Sequence, residues 1–192
     1  MQAVKWNNVN DQTLLTAGYD NKINILDVRS AADMVSTKIA KSAKDIEMVQ
    51  WHHKLEHNFA VTTESGIVFG YDTRKIAEPV FTLQAHNKAC PNMSFSPFIP
   101  NMMATSSLDG LIKVWDIAAN GGTKPEMVGS RNMKQGDLYS MSFSNDIPWV
   151  LASGGNTGEI AIWDVSENIN IENHFKQFLV KGTYNPEDYD PD

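Results

Sequence analysis

Four segments of this chain align with one another without a single gap, and that self-similarity limits its possible folds more than any other feature. They read WNNVNDQTLLTAGYDNKINILD from Trp6, WHHKLEHNFAVTTESGIVFGYD from Trp51, FSPFIPNMMATSSLDGLIKVWD from Phe95 and FSNDIPWVLASGGNTGEIAIWD from Phe143. Their closing aspartates are Asp27, Asp72, Asp116 and Asp164, spaced by 45, 44 and 48 residues. A period near roughly 40–45 residues marks a repeat that is one supersecondary unit, which buries its apolar face only by stacking against its neighbours.

Each segment reads as strands. Ile23 and Ile25, Ile112 and Val114, and Ile160 and Ile162 alternate with other residues at period two, which points one side of a strand inward. Turn residues separate the strands at Asp20-Asn21, Ser65-Gly66, Asp109-Gly110 and Thr157-Gly158. Pro97, Pro100 and Pro148 fall between strands, where a missing N–H does no harm to a ladder. The pattern predicts a four-stranded meander per repeat. The innermost strands are expected near Ala3–Trp6, Glu47–Trp51, Asn92–Phe95 and Tyr139–Phe143.

The Leu-Asp, Tyr-Asp and Trp-Asp endings make the chain resemble the WD-repeat family. The resemblance implies an all-β propeller of about four blades, at about 2–45, 46–89, 90–136 and 137–165, within residues 1–165. The third repeat is the most complete. In this family its His86, Thr105, Asp109 and Trp115 types join in a side-chain hydrogen-bond network, which is worthwhile only if every member is satisfied. Asp20 keeps the aspartate in the first repeat, Ser65 and Thr157 replace it in the second and fourth, and no histidine stands where His86 does. Those blades are expected to rely on packing. A propeller closes so that no sheet edge is exposed. With a chain that starts in an innermost strand and shows no fourth strand after Asp164, the expectation is part of a larger, seven-bladed type of ring. A natural four-bladed ring is the alternative.

Length and composition fit one globular domain: 192 residues, 42% hydrophobic and 20% charged. A net charge of -7 argues against a phosphate-binding surface spread over the domain and leaves room for a local basic patch. Cys90 stands alone, so no internal disulfide can form, which fits a reducing compartment. The opening MQAVKWNNVNDQ has no apolar signal core, and no stretch approaches the roughly 18 apolar residues of a membrane span. The expectation is a soluble intracellular protein.

After the repeats the character changes. Residues 166–180 are expected to form a short helix or extension. Ser166 is a candidate cap, and Ile169, Ile171, Phe175, Phe178 and Leu179 a candidate apolar stripe, packed on the propeller or offered to a partner. Residues 181–192 include GTYNPEDYDPD and read as an acidic disordered tail.

Few residues suggest chemistry. His53-Lys54-Leu55-Glu56-His57 matches H-x-x-E-H, in which two histidines on one helical turn hold zinc and the glutamate acts as base. Here it aligns with PFIPN and NVNDQ, turns between strands, so a solvated turn is expected; with His52 a loose metal site is the alternative. Gly154-Gly155-Asn156-Thr157-Gly158 looks like a phosphate loop, yet lacks a following helix and a Lys-Ser/Thr pair. No Gly-x-Ser-x-Gly elbow occurs. Leu26-Asp27-Val28-Arg29 and Tyr71-Asp72-Thr73-Arg74 both end a repeat in x-D-x-R. This resembles the signature by which some WD-repeat proteins dock onto cullin-type ubiquitin ligase adaptors; the plainer reading pairs each arginine with a local carboxylate.

FTLQAHN (Phe81–Asn87), SRNMKQG (Ser130–Gly136) and GGNTGEIAIWD (Gly154–Asp164) followed by a short apolar segment resemble the C-terminal half of the periodic tryptophan protein 1 family. That resemblance covers nearly all of Gln2–Leu179. It implies a noncatalytic scaffold in large-ribosomal-subunit biogenesis and rRNA processing, in nucleus and nucleolus, with ties to chromatin. FSPFIPNMMATSSLDGLIKVWD is also similar to histone-binding WD-repeat proteins, whose long N-terminal helix is missing here. No catalytic residue, cofactor or metal is implied. Expected partners are other proteins, pre-ribosomal assembly factors among them, with rRNA reached only indirectly and no membrane or small-molecule substrate. Loops vary freely on a backbone-satisfied sheet, and aromatic and arginine side chains dominate hot spots. Tyr19, Arg29, His52, Arg74, Leu108 and Trp149 are therefore the candidate partner contacts.

Overall fold

A computed structural model describes residues 2–30, 34–39 and 44–178. Each repeat forms one antiparallel sheet with its strands in chain order. The first holds β1 (Ala3–Trp6), β2 (Thr13–Ala17), β3 (Lys22–Asp27) and β4 (Val35–Lys38); the second holds β5 (Ile46–Trp51), β6 (Asn58–Thr63), β7 (Ile67–Asp72) and β8 (Phe81–Gln84). The third holds β9 (Asn92–Phe95), β10 (Met102–Ser106), β11 (Leu111–Asp116) and β12 (Glu126–Asn132). Among the described residues the fourth has three strands, β13 (Leu138–Phe143), β14 (Val150–Gly155) and β15 (Ile160–Asp164). The expected four strands per blade therefore hold for three of the four sheets.

One backbone position explains why the turns recur. Asn21, Gly66, Gly110 and Gly158 stand at equivalent points of the second-to-third-strand turn, with φ of 57°, 76°, 81° and 79°. Glycine and asparagine tolerate this left-handed region, where other side chains crowd the following carbonyl. At Gly66 the approach is also close, since a Cβ would run into the carbonyl oxygens of His86 and Lys88.

The core lies between sheets rather than inside any one of them. Leu15 and Ile23 of the first blade pack with Val49, Trp51 and Phe59 of the second. Ala60 and Val68 of the second pack with Met93, Met103 and Trp115 of the third. Ile112 and Val114 of the third pack with Met141, Leu151 and Trp163 of the fourth. Each fully buried large aliphatic side chain contributes about 1.5–3 kcal/mol. Polar contacts fix the blades to one another: Trp51 Nε1 donates to Lys5 O at 3.2 Å, and Phe143 N–H to Ser94 Oγ at 3.2 Å. The inner strands neighbour one another in the order β1, β5, β9, β13. The result is an incomplete WD-type β-propeller. Its two outward faces carry exposed apolar side chains: Val4 and Trp6 on β1, and Ile160 and Ile162 on β15, whose alternation predicts an inward side but which have no further strand or blade against them among the described residues.

The C-terminal element is helical through most of its described length, and its cap is not Ser166. Val165–Glu167 and Lys176–Phe178 are 3-10 turns around α1 (Ile169–Phe175). The α1 cap is Asn168, whose side chain accepts from Asn170 N–H, while Ser166 lies in the preceding 3-10 turn, itself capped by Asp164. Ile171 and Phe175 are buried against the third and fourth blades; Ile169 is exposed and not part of that contact. Leu179 and residues 181–192 lie outside the described residues.

Candidate functional site

A meander places its turns on two opposite rims. The first-to-second and third-to-fourth strand connections share one rim; the second-to-third turns occupy the other. The candidate contacts divide accordingly. Tyr19 and Leu108 sit in second-to-third-strand turns, whereas Arg29, His52, Arg74 and Trp149 sit in connections of the opposite rim. They do not form one surface. Tyr19 is exposed, and Leu108 is half-buried with its N–H bonded to Ala89 O.

His52 is not a surface contact. It is 3% exposed, and its Nδ1 accepts the N–H groups of Lys54 and Leu55, each at 3.1 Å. The ring proton is therefore on Nε2, which donates to Pro100 O of the third blade at 2.8 Å. Burial pushes its pKa down, in keeping with a neutral ring. His52 closes its own turn and joins two blades. Trp149 is half-buried too: it packs on the core of the third and fourth blades with φ of 71°, and its carbonyl accepts Val165 N–H.

Arg29 and Arg74 are exposed and occupied. Arg29 reaches Asp27 at 2.6 and 3.0 Å, and Arg74 reaches Asp72 at 2.6 and 2.9 Å. The guanidinium bonds hold both carboxyls down to about 2. In both turns the carboxylate also accepts the arginine's own N–H at 2.9 Å. The x-D-x-R pattern thus builds the same self-contained turn twice, one blade apart.

In the third blade, Trp115 Nε1 donates to Thr105 Oγ1 at 2.9 Å. The Thr105 hydroxyl faces His86 Nε2 at 2.8 Å, and His86 Nδ1 faces Asp109 Oδ2 at 3.0 Å. The only donor order that satisfies all four runs from Trp115 through Thr105 and His86 to the carboxylate. Asp109 Oδ1 also accepts Leu111 N–H at 3.0 Å, which closes the turn. Burial lowers the His86 pKa, with the Asp109 charge acting against it.

The fourth blade has a counterpart that the search for histidine missed. Trp163 and Ser153 stand 48 residues after Trp115 and Thr105. Ser153 Oγ donates to Gln135 Oε1 at 2.8 Å, and Gln135 Nε2 donates to Glu159 O at 2.6 Å. Gln135 is 2% exposed and fills the place of His86. The available signal was Ser153, a hydroxyl in register with Thr105.

A groove of about 500 Å³ lies on the rim of the x-D-x-R turns, between the second and third blades. Phe59, Tyr71, Phe81 and Phe95 provide aromatic wall, while Ile117 and Ala118 belong to the connection after β11. Such a volume suits an inserted side chain or small ligand. Gly70 makes it possible, since a Cβ there would occupy the space of the Phe81 ring. The side chains of Asn58, Asn101 and Tyr71 line it and make no hydrogen bond within the described residues. Of the six candidate contacts only His52 lines this groove; most of its wall is made by strand residues of two repeats together with the loops beside them, so no single segment displays it.

The H-x-x-E-H segment is a turn between β5 and β6, so His53 and His57 lack the helical face that pattern needs. His53 Nδ1 contacts Asn8 Nδ2 at 3.3 Å and His57 Nδ1 contacts Thr73 Oγ1 at 3.2 Å. Among the described residues no three His, Cys, Asp or Glu side chains gather in a metal-ligating group. Gly154 and Gly155 end a strand; a Cβ on Gly155 would strike the carbonyls of Gln135 and Asp137, so Gly155 serves close packing, whereas a Cβ on Gly154 would meet nothing within 4 Å.

Residues 77–116 match the family described as WD domain, G-beta repeat. That span contains His86, Thr105, Asp109 and Trp115. Periodic tryptophan protein 1 of Saccharomyces cerevisiae is 31% identical over 142 residues, which are 70% of this chain and 24% of that protein. Its Drosophila melanogaster homolog is 27% identical over 139 residues, 72% of this chain and 30% of that protein. An uncharacterized WD repeat-containing protein of Schizosaccharomyces pombe is 34% identical over 96 residues, half of this chain and 18% of that protein. The chain thus spans less than a third of the length of each of these relatives.

Proposed function

From the premise that the chain is a WD-repeat protein resembling periodic tryptophan protein 1, we propose that it is a noncatalytic protein-interaction scaffold of ribosome assembly. The observation that carries the scaffold reading is where the polar chemistry goes. The buried His86–Asp109 and Gln135–Ser153 pairs are consumed in holding sheets together, and the open aromatic groove lies on a rim built of loops. Proteins bind such rims because the sheet beneath fixes the loops without dictating their sequence.

The finer role rests on the family resemblance: pre-ribosomal proteins as partners in nucleus and nucleolus, and rRNA processing reached through them. The net charge of -7 supports indirect rather than direct contact with rRNA. A tagged full chain purified from cells, with its proteins identified by mass spectrometry and its RNA sequenced, is the test. Pre-ribosomal proteins with pre-rRNA fragments are the expected result. Recovery of only histones, or only ubiquitin ligase subunits, overturns the ribosomal reading.

A further inference from the structure

The seams between blades are built from two kinds of side-chain row. One row faces the preceding blade and is large: Phe143, Leu151 and Trp163 stand opposite one another across β13, β14 and β15. The other faces the following blade and is smaller: Ser94, Ala104 and Val114 across β9, β10 and β11. At the seam of the third and fourth blades these two rows close on each other. Ala104 and Val114 pack with Phe143, Leu151 and Trp163, and Ser94 Oγ accepts Phe143 N–H.

Both kinds of row also stand open on the outward faces of the array. On the first blade Trp6, Leu14 and Leu26 are cross-strand neighbours, at the repeat positions of Phe143, Leu151 and Trp163. On the fourth, Ser142, Ala152 and Ile162 are neighbours, at the positions of Ser94, Ala104 and Val114. Trp6 is 55% exposed where Trp51, Phe95 and Phe143 are buried, and Ile162 is 72% exposed where Val114 is buried. The adjoining row is Val4, Thr16 and Asn24 on the first blade and Ser140, Gly154 and Ile160 on the fourth. None of these side chains is charged. Charge begins only at the margins, with Lys22 and Lys38 on the first blade and Asp164 on the fourth. A sheet face turned to water ordinarily carries polar alternation, and an uncharged apolar one marks an interaction site.

We propose that the fourth blade of one chain packs against the first blade of a second copy, and the first against the fourth, so that two chains close one ring of eight blades. Three seams inside each chain already make this contact, and the two open faces are its unpaired halves. Ser142, Ala152 and Ile162 receive Trp6, Leu14 and Leu26 of the second copy as Ser94, Ala104 and Val114 receive Phe143, Leu151 and Trp163. Across the first seam Trp51 Nε1 donates to Lys5 O. At the equivalent place Trp6 Nε1, which bonds to none of the described residues, donates to Ser142 O of the other copy. A head-to-tail interface makes a ring when its rotation closes and a fibre when it does not. Eight blades lie within the roughly 4–8 of closed propellers. Such a ring carries the groove between the second and third blades twice. The proposal goes beyond the ribosomal reading, and either can fail without the other.

The test is sedimentation velocity of the full chain over a range of concentrations. A single species of twice the mass of one chain is expected. Ile162→Asp and Trp6→Asp each put a charge on one open face and alter an exposed side chain. Both should sediment as one chain, with far-UV circular dichroism unchanged. As a second readout, p-benzoylphenylalanine in place of Leu26 stands where the fourth blade holds Trp163. On irradiation it should link to Ser142, Ala152 or Ile162, and a mixture of two isotopically labelled chains should show that the link joins different copies. A one-chain mass for the parent, a ladder of masses that grows with concentration, a dimer that survives either substitution, or links absent from these residues overturns the proposal.

Discussion

Ser153 Oγ donates to Gln135 Oε1 at 2.8 Å, in the fourth-blade position where the third blade joins Thr105 to His86. Two repeats thus solve one problem with different side chains. A buried hydroxyl on the second strand must be met by a group arriving from the connection before the first strand. An imidazole does this in one blade and a carboxamide in the other.

Gln135→Ala should consequently destabilise the chain by about 1–3 kcal/mol, the usual result of leaving a buried polar group unpaired. Ser153→Ala removes the donor and should be milder. Urea unfolding of both variants and the double variant gives the coupling, expected at about 0.5–3 kcal/mol for residues in one bond. Strictly additive losses would show that the pair does not act as a unit.

The same comparison makes His86→Gln informative. His86 and His52 have pKa values lowered by burial, so both are neutral in the folded chain. The unfolded chain binds more protons once pH drops below its histidine pKa of about 6.5, and stability is then lost. The contribution is fully present above that pH and fades as pH falls toward the lowered folded value. Unfolding free energy should decline between pH 7 and 5 in the parent chain. His86→Gln should flatten part of that decline while costing less at pH 7 than His86→Ala. An unchanged slope means that His86 does not set it.

Much of the fold was legible because two rules act locally. Alternation and the four left-handed turn positions located β1, β5, β9 and β13 and the turns at Asn21, Gly66, Gly110 and Gly158. His86, Thr105, Asp109 and Trp115 were legible as a set through family resemblance. Other features depend on what the sheets bring together. His52 reads as a surface residue from the sequence, since nothing local announces that the carbonyl of Pro100 in the next blade accepts its Nε2–H. Gln135 was passed over because only histidine was sought. The groove needs Phe59, Phe81 and Phe95 from two repeats, so no single segment displays it.

The glycine turns separate conformation from crowding. Gly66 and Gly158 have nearly equal φ, 76° and 79°. A Cβ on Gly158 meets nothing within 4 Å, whereas one on Gly66 strikes the backbone carbonyls of His86 and Lys88. Gly158→Ala should cost only the left-handed penalty, about 1–2 kcal/mol. Gly66→Ala should cost at least twice that, because the backbone before the third blade must shift. Equal urea midpoints for the two variants would show that the close approach is relieved without loss.

The fourth blade has no fourth strand among the described residues, and α1 packs over β12 at the seam of the third and fourth blades. Phe175 is fully buried, and its neighbour His174 is bonded to the 7%-exposed Asp116. Phe175→Ala should cost about 3–5 kcal/mol, the range for deleting a buried aromatic ring. His174→Ala should cost less, since the ring is partly exposed and removes one bond. The two losses should differ in kind as well as size. If α1 is part of the core shared by the third and fourth blades, Phe175→Ala lowers the midpoint of one cooperative urea transition and speeds hydrogen exchange in β12 and β15 together. If α1 only lies on the surface, the variant frees residues 169–178 to protease while the exchange of β15 stays unchanged. Packing of Ile171 and Phe175 with Val114, Leu151 and Trp163 in one buried cluster favours the first outcome.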